Sequence, residues 1–182
     1  MLDVLLTEAE ERQCRKWGLA INANKERHGM TRTKGNERYA DLDGDSSRVS
    51  AIRSELAVAK ALGIPYTVKI HKGGDGGIDL RLTEPCYYGE TVQVKWRGER
   101  ERDLATDTLN IRKDLRADIY VLTWPGEGGA ITLVGFAVWE DWVRRFRSRN
   151  PVYMRGEKWE LRWHDELRPV EGLIEAAGRM AA

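Results

Sequence analysis

Lys72-Gly73-Gly74-Asp75-Gly76-Gly77-Ile78-Asp79-Leu80-Arg81-Leu82 and, a few residues on, Thr91-Val92-Gln93-Val94-Lys95-Trp96 decide the architecture of this chain. In both runs polar and apolar residues alternate, which is the period of a strand. The glycines before Ile78 form a flexible turn that delivers an aspartate onto the first strand, Ile78–Leu82. Strand geometry puts Asp79 and Arg81 on the face opposite Ile78, Leu80 and Leu82. It puts Gln93 and Lys95 on the face opposite Val92, Val94 and Trp96. If the two strands pair, Asp79, Gln93 and Lys95 converge on one spot. A core strand rarely carries such a trio idly, because an unpaired buried polar group costs about 1–3 kcal/mol. The other reading is a face that is simply wet, as on many antiparallel sheets.

Upstream, Thr7 and Glu10 make a capping box for a helix running to about Arg27, with Cys14, Trp17 and Ile21 on its apolar face. His28 to Asp45 is polar and glycine-bearing and reads as a loop. Ser46 or Ser47 caps a second helix that ends near Leu62, with Gly63 at C′ and Pro65 beyond it. Ile52, Leu56 and Ala59 form its stripe, and Glu55 lies at the edge. Tyr66–Ile70 alternates and reads as a strand. Downstream, Arg97 to Asp118 is charged and partly helical. Ile119–Trp124 is nearly all apolar, as in a strand buried on both faces. Ile131–Val138 is another strand, Trp139–Arg147 a helix, Trp159–Trp163 a late strand and Glu171–Ala177 a short terminal helix. The expectation is a mixed α/β protein: a central mixed β-sheet flanked by helices. It is expected to form one domain over 1–182, with a core at about 46–140, an N-terminal helix and a C-terminal Trp/Arg-rich extension.

Taken in order, Glu55 on a helix, a glycine turn, Asp79 on a strand and Gln93-Val94-Lys95 on the next strand resemble the PD-(D/E)XK nuclease superfamily. The Gly74-Asp75-Gly76-Gly77-Ile78-Asp79 and Val92-Gln93-Val94-Lys95 wording is most like Mrr-type restriction nucleases. It is also similar to archaeal Holliday-junction resolvases and to nuclease-like proteins of phages. The resemblance spans roughly Ser50 to Arg97, and Leu133-Val134-Gly135-Phe136 before a Trp-rich helix looks like the tail of such cores. Two departures stand out. The proline that often precedes the first aspartate is absent, and Gln93 replaces a second carboxylate, so metal affinity leans on Glu55 and Asp79.

The resemblance implies a restriction endonuclease-like core and a Mg²⁺-dependent (or Mn²⁺-dependent) deoxyribonuclease with Glu55, Asp79, Gln93 and Lys95 as its catalytic set. The residue types suit this chemistry. Mg²⁺ is a hard cation that takes oxygen ligands. Asp79 would be the main ligand, the Gln93 side chain and the Val94 backbone carbonyl would add neutral oxygens, and Glu55 would bind directly or through water. Lys95 would hold the attacking water or stabilise charge developing on phosphorus. Asp75 either supports the metal or braces its turn, and Asp-Gly chemistry favours the turn. Phage or mobile-element DNA processing, recombination or restriction are the implied settings, with a homodimer as the implied assembly. Two readings stand beside this one: a non-catalytic DNA-binding or accessory protein retaining the fold, and a structural protein whose wet face mimics the motif.

Lys and Arg number 30 against 29 Asp and Glu, so net charge does not announce a nucleic-acid partner. Phosphates are bound by local patches, however. Arg144, Arg145, Arg147, Arg149 and Arg155 form one, Lys25, Arg27, Arg32, Lys34 and Arg38 another, and Lys72 and Arg97 flank the motif. Each is either a DNA contact for duplex, branched or single-stranded substrate or a solvated face. The sharper expectation is segregated charge, acidic on the floor of a cleft and basic along its rims. Two distant cysteines, Cys14 and Cys86, argue against a disulfide framework or a structural zinc. Asp41, Asp43 and Asp45 lack the glycine and glutamate positions of a calcium loop. His28, His71 and His164 show no ligand spacing. Most of the seven tryptophans belong to a core or a dimer contact. The N-terminus is acidic and does not read as a signal peptide, and no run approaches a membrane span, so a cytoplasmic protein is expected (host cytoplasm if phage-encoded).

Overall fold

The computed structural model describes residues 1–27, 44–68, 78–107, 116–146 and 158–178. Helix α1 (Glu8–Arg27) starts on the capping box its sequence predicts. The Glu10 N–H donates to Thr7 Oγ1 at 3.3 Å, and the Thr7 N–H donates to Glu10 Oε2 at 2.6 Å. Helix α2 (Gly44–Ala61) ends at Gly63, whose φ of +66° places it in the left-handed region. There the Ile64 N–H donates to Ala59 O and the Gly63 N–H to Lys60 O, at 3.0 and 3.3 Å. This pair of bonds satisfies carbonyls that the helix end would orphan. The two helices touch closely at Gly18, where a Cβ would lie 2.7 Å from Val49 Cγ2. Arg53 of α2 ties the pair together, donating to Glu11 of α1 at 2.9 Å and to the Gly129 carbonyl at 2.8 Å.

The strands are β1 (Leu2–Val4), β2 (Leu80–Cys86), β3 (Gly89–Trp96), β4 (Leu104–Asp107), β5 (Ile119–Pro125), β6 (Ile131–Val138) and β7 (Lys158–Leu161). Helix α3 (Trp139–Phe146) follows β6, and α4 (Val170–Gly178) follows β7. Five strands form one mixed sheet in the order β1-β6-β5-β3-β2, and β4 and β7 form a separate antiparallel pair. In the main sheet β3 and β5 run parallel, and the other neighbours are antiparallel. A parallel pair needs a long crossover, which the chain between Trp96 and Ile119 provides.

β5 and β6 are buried on both faces, as their apolar runs predict. One face joins Val92, Val94, Ile119 and Val121 to Ala57 and Val58 of α2, to Leu62 just beyond it, and to Val170 and Leu173 of α4. The other joins Tyr120, Leu122, Trp124 and Val134 to Leu104, Leu161 and Trp142. Trp124 and Trp142 are buried, and Trp139 and Trp163 pack beside them, which puts these tryptophans in the core rather than on a stacking platform. Among the described residues no helix is long and apolar enough to cross a membrane.

Several expectations are corrected. Tyr66–Val68 is not a strand, because Tyr66 turns its hydroxyl back onto α2 instead of joining a ladder. β2 starts at Leu80 rather than Ile78 and runs on to Cys86; Asp79, just outside it, keeps one backbone bond to β3 and makes another through its side chain. Helix α2 begins at Gly44, upstream of the Ser46 or Ser47 cap expected for it; the charged stretch after Arg97 carries β4 at Leu104–Asp107, and its residues 108–115 lie outside the described residues. Leu56 is only half-buried, and the core side of α2 is carried by Ile52, Val58, Ala59 and Leu62.

Candidate active site

The point of interest is the margin where β2 parts from β3. The Leu80↔Val92 pair is the last in register, and the Asp79 N–H still donates to Val92 O at 3.0 Å. The Asp79 carboxylate then takes the place of a ladder partner: its Oδ2 accepts the Val94 N–H at 2.7 Å. A residue in a strand directs its N–H and C=O to the same side. The Val94 carbonyl is therefore directed to this margin too, beside Asp79. A carboxylate has about four lone-pair sites, so one backbone bond does not exhaust it.

Gln93 and Lys95 pair in register with Tyr120 and Leu122 of β5 and share their face of the sheet. This face is not wet at Gln93, which is only 4% exposed. Its Oε1 atom is buried and has no hydrogen-bond partner among the described residues. Leaving such an acceptor bare costs about 1–3 kcal/mol, which calls for a water, an ion or a functional reason. Lys95 is half-buried.

Glu55 comes from α2, which packs on the opposite face. Its Oε2 accepts a hydrogen bond from the Tyr66 hydroxyl at 2.6 Å. Burial pushes the Tyr66 phenol far above its ordinary value, and the nearby charges of Glu55 and Asp79 add to the rise. The Tyr66 ring stands edge-on to Trp17 of α1, with centroids 5.5 Å apart. Cys14 lies in the same interior, its thiol raised to about 11 mainly by burial, with Glu11 and Glu55 contributing. Tyr66 and Trp17 were not foreseen as site residues; only the helix stop at Gly63, which turns the chain back toward α2, hints at Tyr66.

The donor types suit a hard divalent cation. Among the described residues no three His, Cys, Asp or Glu side chains gather to hold a metal. Oxygen donors of the kind such a cation takes are present in Asp79, Glu55, Gln93 and the Val94 carbonyl, but they are divided between the two faces of the sheet: Gln93 and Lys95 share the face of Tyr120 and Leu122, and Glu55 comes from α2 on the other.

The remaining candidates are unevenly placed. Asp75, Lys72, Lys34, Arg38, Arg147, Arg149, Arg155, Arg32, His28 and His71 lie outside the described residues. Asp41 and Asp43 do too, and the side chains of Arg145, Lys25 and Asp45 are not described. Arg144 is exposed on α3. Arg97 is tied to structure, its Nε donating to the Asp103 carbonyl at 3.2 Å and its N–H to Thr123 O at 3.0 Å. His164 is exposed beside Asp165. An open groove among Leu5, Leu19, Val49 and Arg53 includes none of the predicted catalytic residues. Comparison with known protein families, with curated proteins and with solved structures finds no match.

Proposed function

We propose that this chain is a Mg²⁺- or Mn²⁺-dependent endonuclease that hydrolyses DNA phosphodiester bonds on a restriction endonuclease-like core of the PD-(D/E)XK type. The observation that supports the reading is the bond from the Val94 N–H to the Asp79 carboxylate, in a strand that also carries Gln93, whose buried oxygen has no hydrogen-bond partner among the described residues. Asp79, Glu55, Gln93 Oε1 and the Val94 carbonyl are the groups that would hold the cation. When bound, Mg²⁺ supplies an activated water and positive charge against the phosphate. Asp79, fixed by the Val94 N–H, supplies a rigidly aimed anionic oxygen. Gln93 supplies a neutral one that cannot repel the phosphate. Lys95 orients the attacking water or offsets charge building on the phosphate oxygens. Lys72 and the arginines around α3 would neutralise flanking phosphates. DNA processing in a phage or mobile element, recombination or restriction are the settings that suit such an activity, and paired cuts on a duplex suit a homodimer.

The test is incubation with supercoiled plasmid, single strands and branched DNA, with Mg²⁺ or Mn²⁺. The wild type is expected to cut at least one of them, and Lys95→Ala to cut about 10²–10³-fold more slowly. Binding of DNA with no cutting under either metal would favour the non-catalytic accessory protein. Equal cutting by Lys95→Ala would sink the site assignment.

A further inference from the structure

We infer that Tyr66 is the positioning residue of this site, a neutral hydroxyl that holds the Glu55 carboxylate in place for the cation. The inference rests on the nuclease reading above. Glu55 hangs from a helix on a flexible side chain, and a ligand that is not oriented holds a cation poorly. Some group has to fix its orientation before the cation arrives. The Tyr66 O–H to Glu55 Oε2 distance of 2.6 Å is that of a charge-assisted bond. The donor is itself fixed. The helix stop at Gly63 turns the chain, Pro65 restricts the next step, and Trp17 of α1 stands edge-on at 83° to the Tyr66 ring. The chemical choice also matters. A lysine or arginine here would compete with a cation for the carboxylate, whereas a hydroxyl orients Glu55 and adds no positive charge of its own. This makes α1, which lies outside the Ser50–Arg97 motif, part of the site through Trp17.

The experiment is titration calorimetry of Mn²⁺ into the full chain, alongside thermal melts, DNA affinity without metal, and cleavage rate against Mn²⁺ concentration. Tyr66→Phe keeps the ring and removes only the hydroxyl. It is expected to weaken Mn²⁺ binding about tenfold, at the lower end of what loss of a group orienting a ligand costs. Its melting temperature and DNA affinity should stay near wild type, and saturating Mn²⁺ should recover most of the cleavage rate. A purely structural tyrosine would move the melt and leave Mn²⁺ affinity alone. Trp17→Leu, which loosens the ring but keeps the hydroxyl, should weaken Mn²⁺ binding less than Tyr66→Phe, and the reverse order would count against the inference. Unchanged Mn²⁺ affinity in Tyr66→Phe, with Asp79→Ala unable to bind Mn²⁺, would overturn the positioning role alone. Unchanged affinity in Asp79→Ala would overturn the metal site itself.

Discussion

Replacing Asp79 with alanine is expected to reduce metal-dependent DNA cleavage by about 10³-fold or more while the chain stays folded. The two effects separate because Asp79 does two jobs of unequal weight. Structurally, its carboxylate accepts the Val94 N–H. Losing it leaves one N–H at a sheet margin, a cost of about 1–3 kcal/mol if no water reaches it. In the proposed chemistry it is the main anionic ligand, and Gln93 offers no negative charge in compensation. Removing a single electrostatic contact commonly costs about 10²–10³ in rate, and a principal ligand costs more. Asp79→Asn sharpens the test. The amide oxygen can still accept the Val94 N–H, so folding should match wild type, yet the charge is gone and cleavage should still fail. A plasmid time course with circular dichroism on the same samples reads both. If Asp79→Asn cuts within tenfold of wild type, the proposed centre is wrong.

How far the fold could be read from the chain depended on whether its cause was local. The capping box of α1, the glycine stop of α2 and the period of β3 are set by residues a few positions apart. The doubly buried β5 and β6 were legible because nothing but apolar side chains suits a strand covered on both faces. β1 spans only Leu2–Val4, too short to show a period, and forms because β6 offers it an edge. Tyr66–Val68 alternates as a strand does, but pairing is settled by what lies alongside, and Tyr66 is drawn to Glu55 instead. The face of Gln93 could equally have been wet or covered. Its burial depends on the layer of β4, β7 and α3 over Tyr120 and Leu122, and no local pattern announces that layer. The bond between Tyr66 and Glu55 is illegible for the same reason: it follows from how the chain returns after Gly63.

Asp118, which reads in sequence as one more acid in a charged run, is expected to be among the costliest surface-facing residues to remove. It precedes β5 and reaches the start of β3. Its Oδ2 accepts the Glu90 N–H at 3.0 Å, the Thr91 N–H at 2.9 Å and the Thr91 hydroxyl at 2.7 Å. Its own N–H donates to Thr91 Oγ1 at 2.9 Å, and its carbonyl accepts the first N–H of α3, from Trp139, at 3.1 Å. Gly89 is shaped to the same contact: its φ is +121°, and a Cβ there would collide with the Asp118 side chain. One carboxylate therefore pins the β2–β3 hairpin, which bears Asp79, Gln93 and Lys95, to the central strand. Asp118→Ala strands three donors, and we expect a loss of about 3 kcal/mol. For a chain of this size that is a fall of roughly 6–12 °C in melting temperature. Acid should erase the difference. Burial alone would raise the Asp118 pKa, but the Thr91 and Glu90 N–H groups, the Thr91 hydroxyl and Arg116 outweigh it and hold the carboxyl below the ordinary aspartate value. A carboxyl depressed by folding adds stability above its unfolded pKa, ~3.9, and that contribution disappears as pH falls through the folded value. Asp141, lowered by its ion pair with Arg168 against the opposing effect of burial, follows the same course in wild type and variant alike. The gap in urea midpoint between wild type and Asp118→Asn should thus be widest near pH 7, begin to narrow at the unfolded aspartate pKa and close as pH falls through the lowered value of the folded state. A gap that persists unchanged into acid would mean that the carboxylate charge does not hold this hairpin.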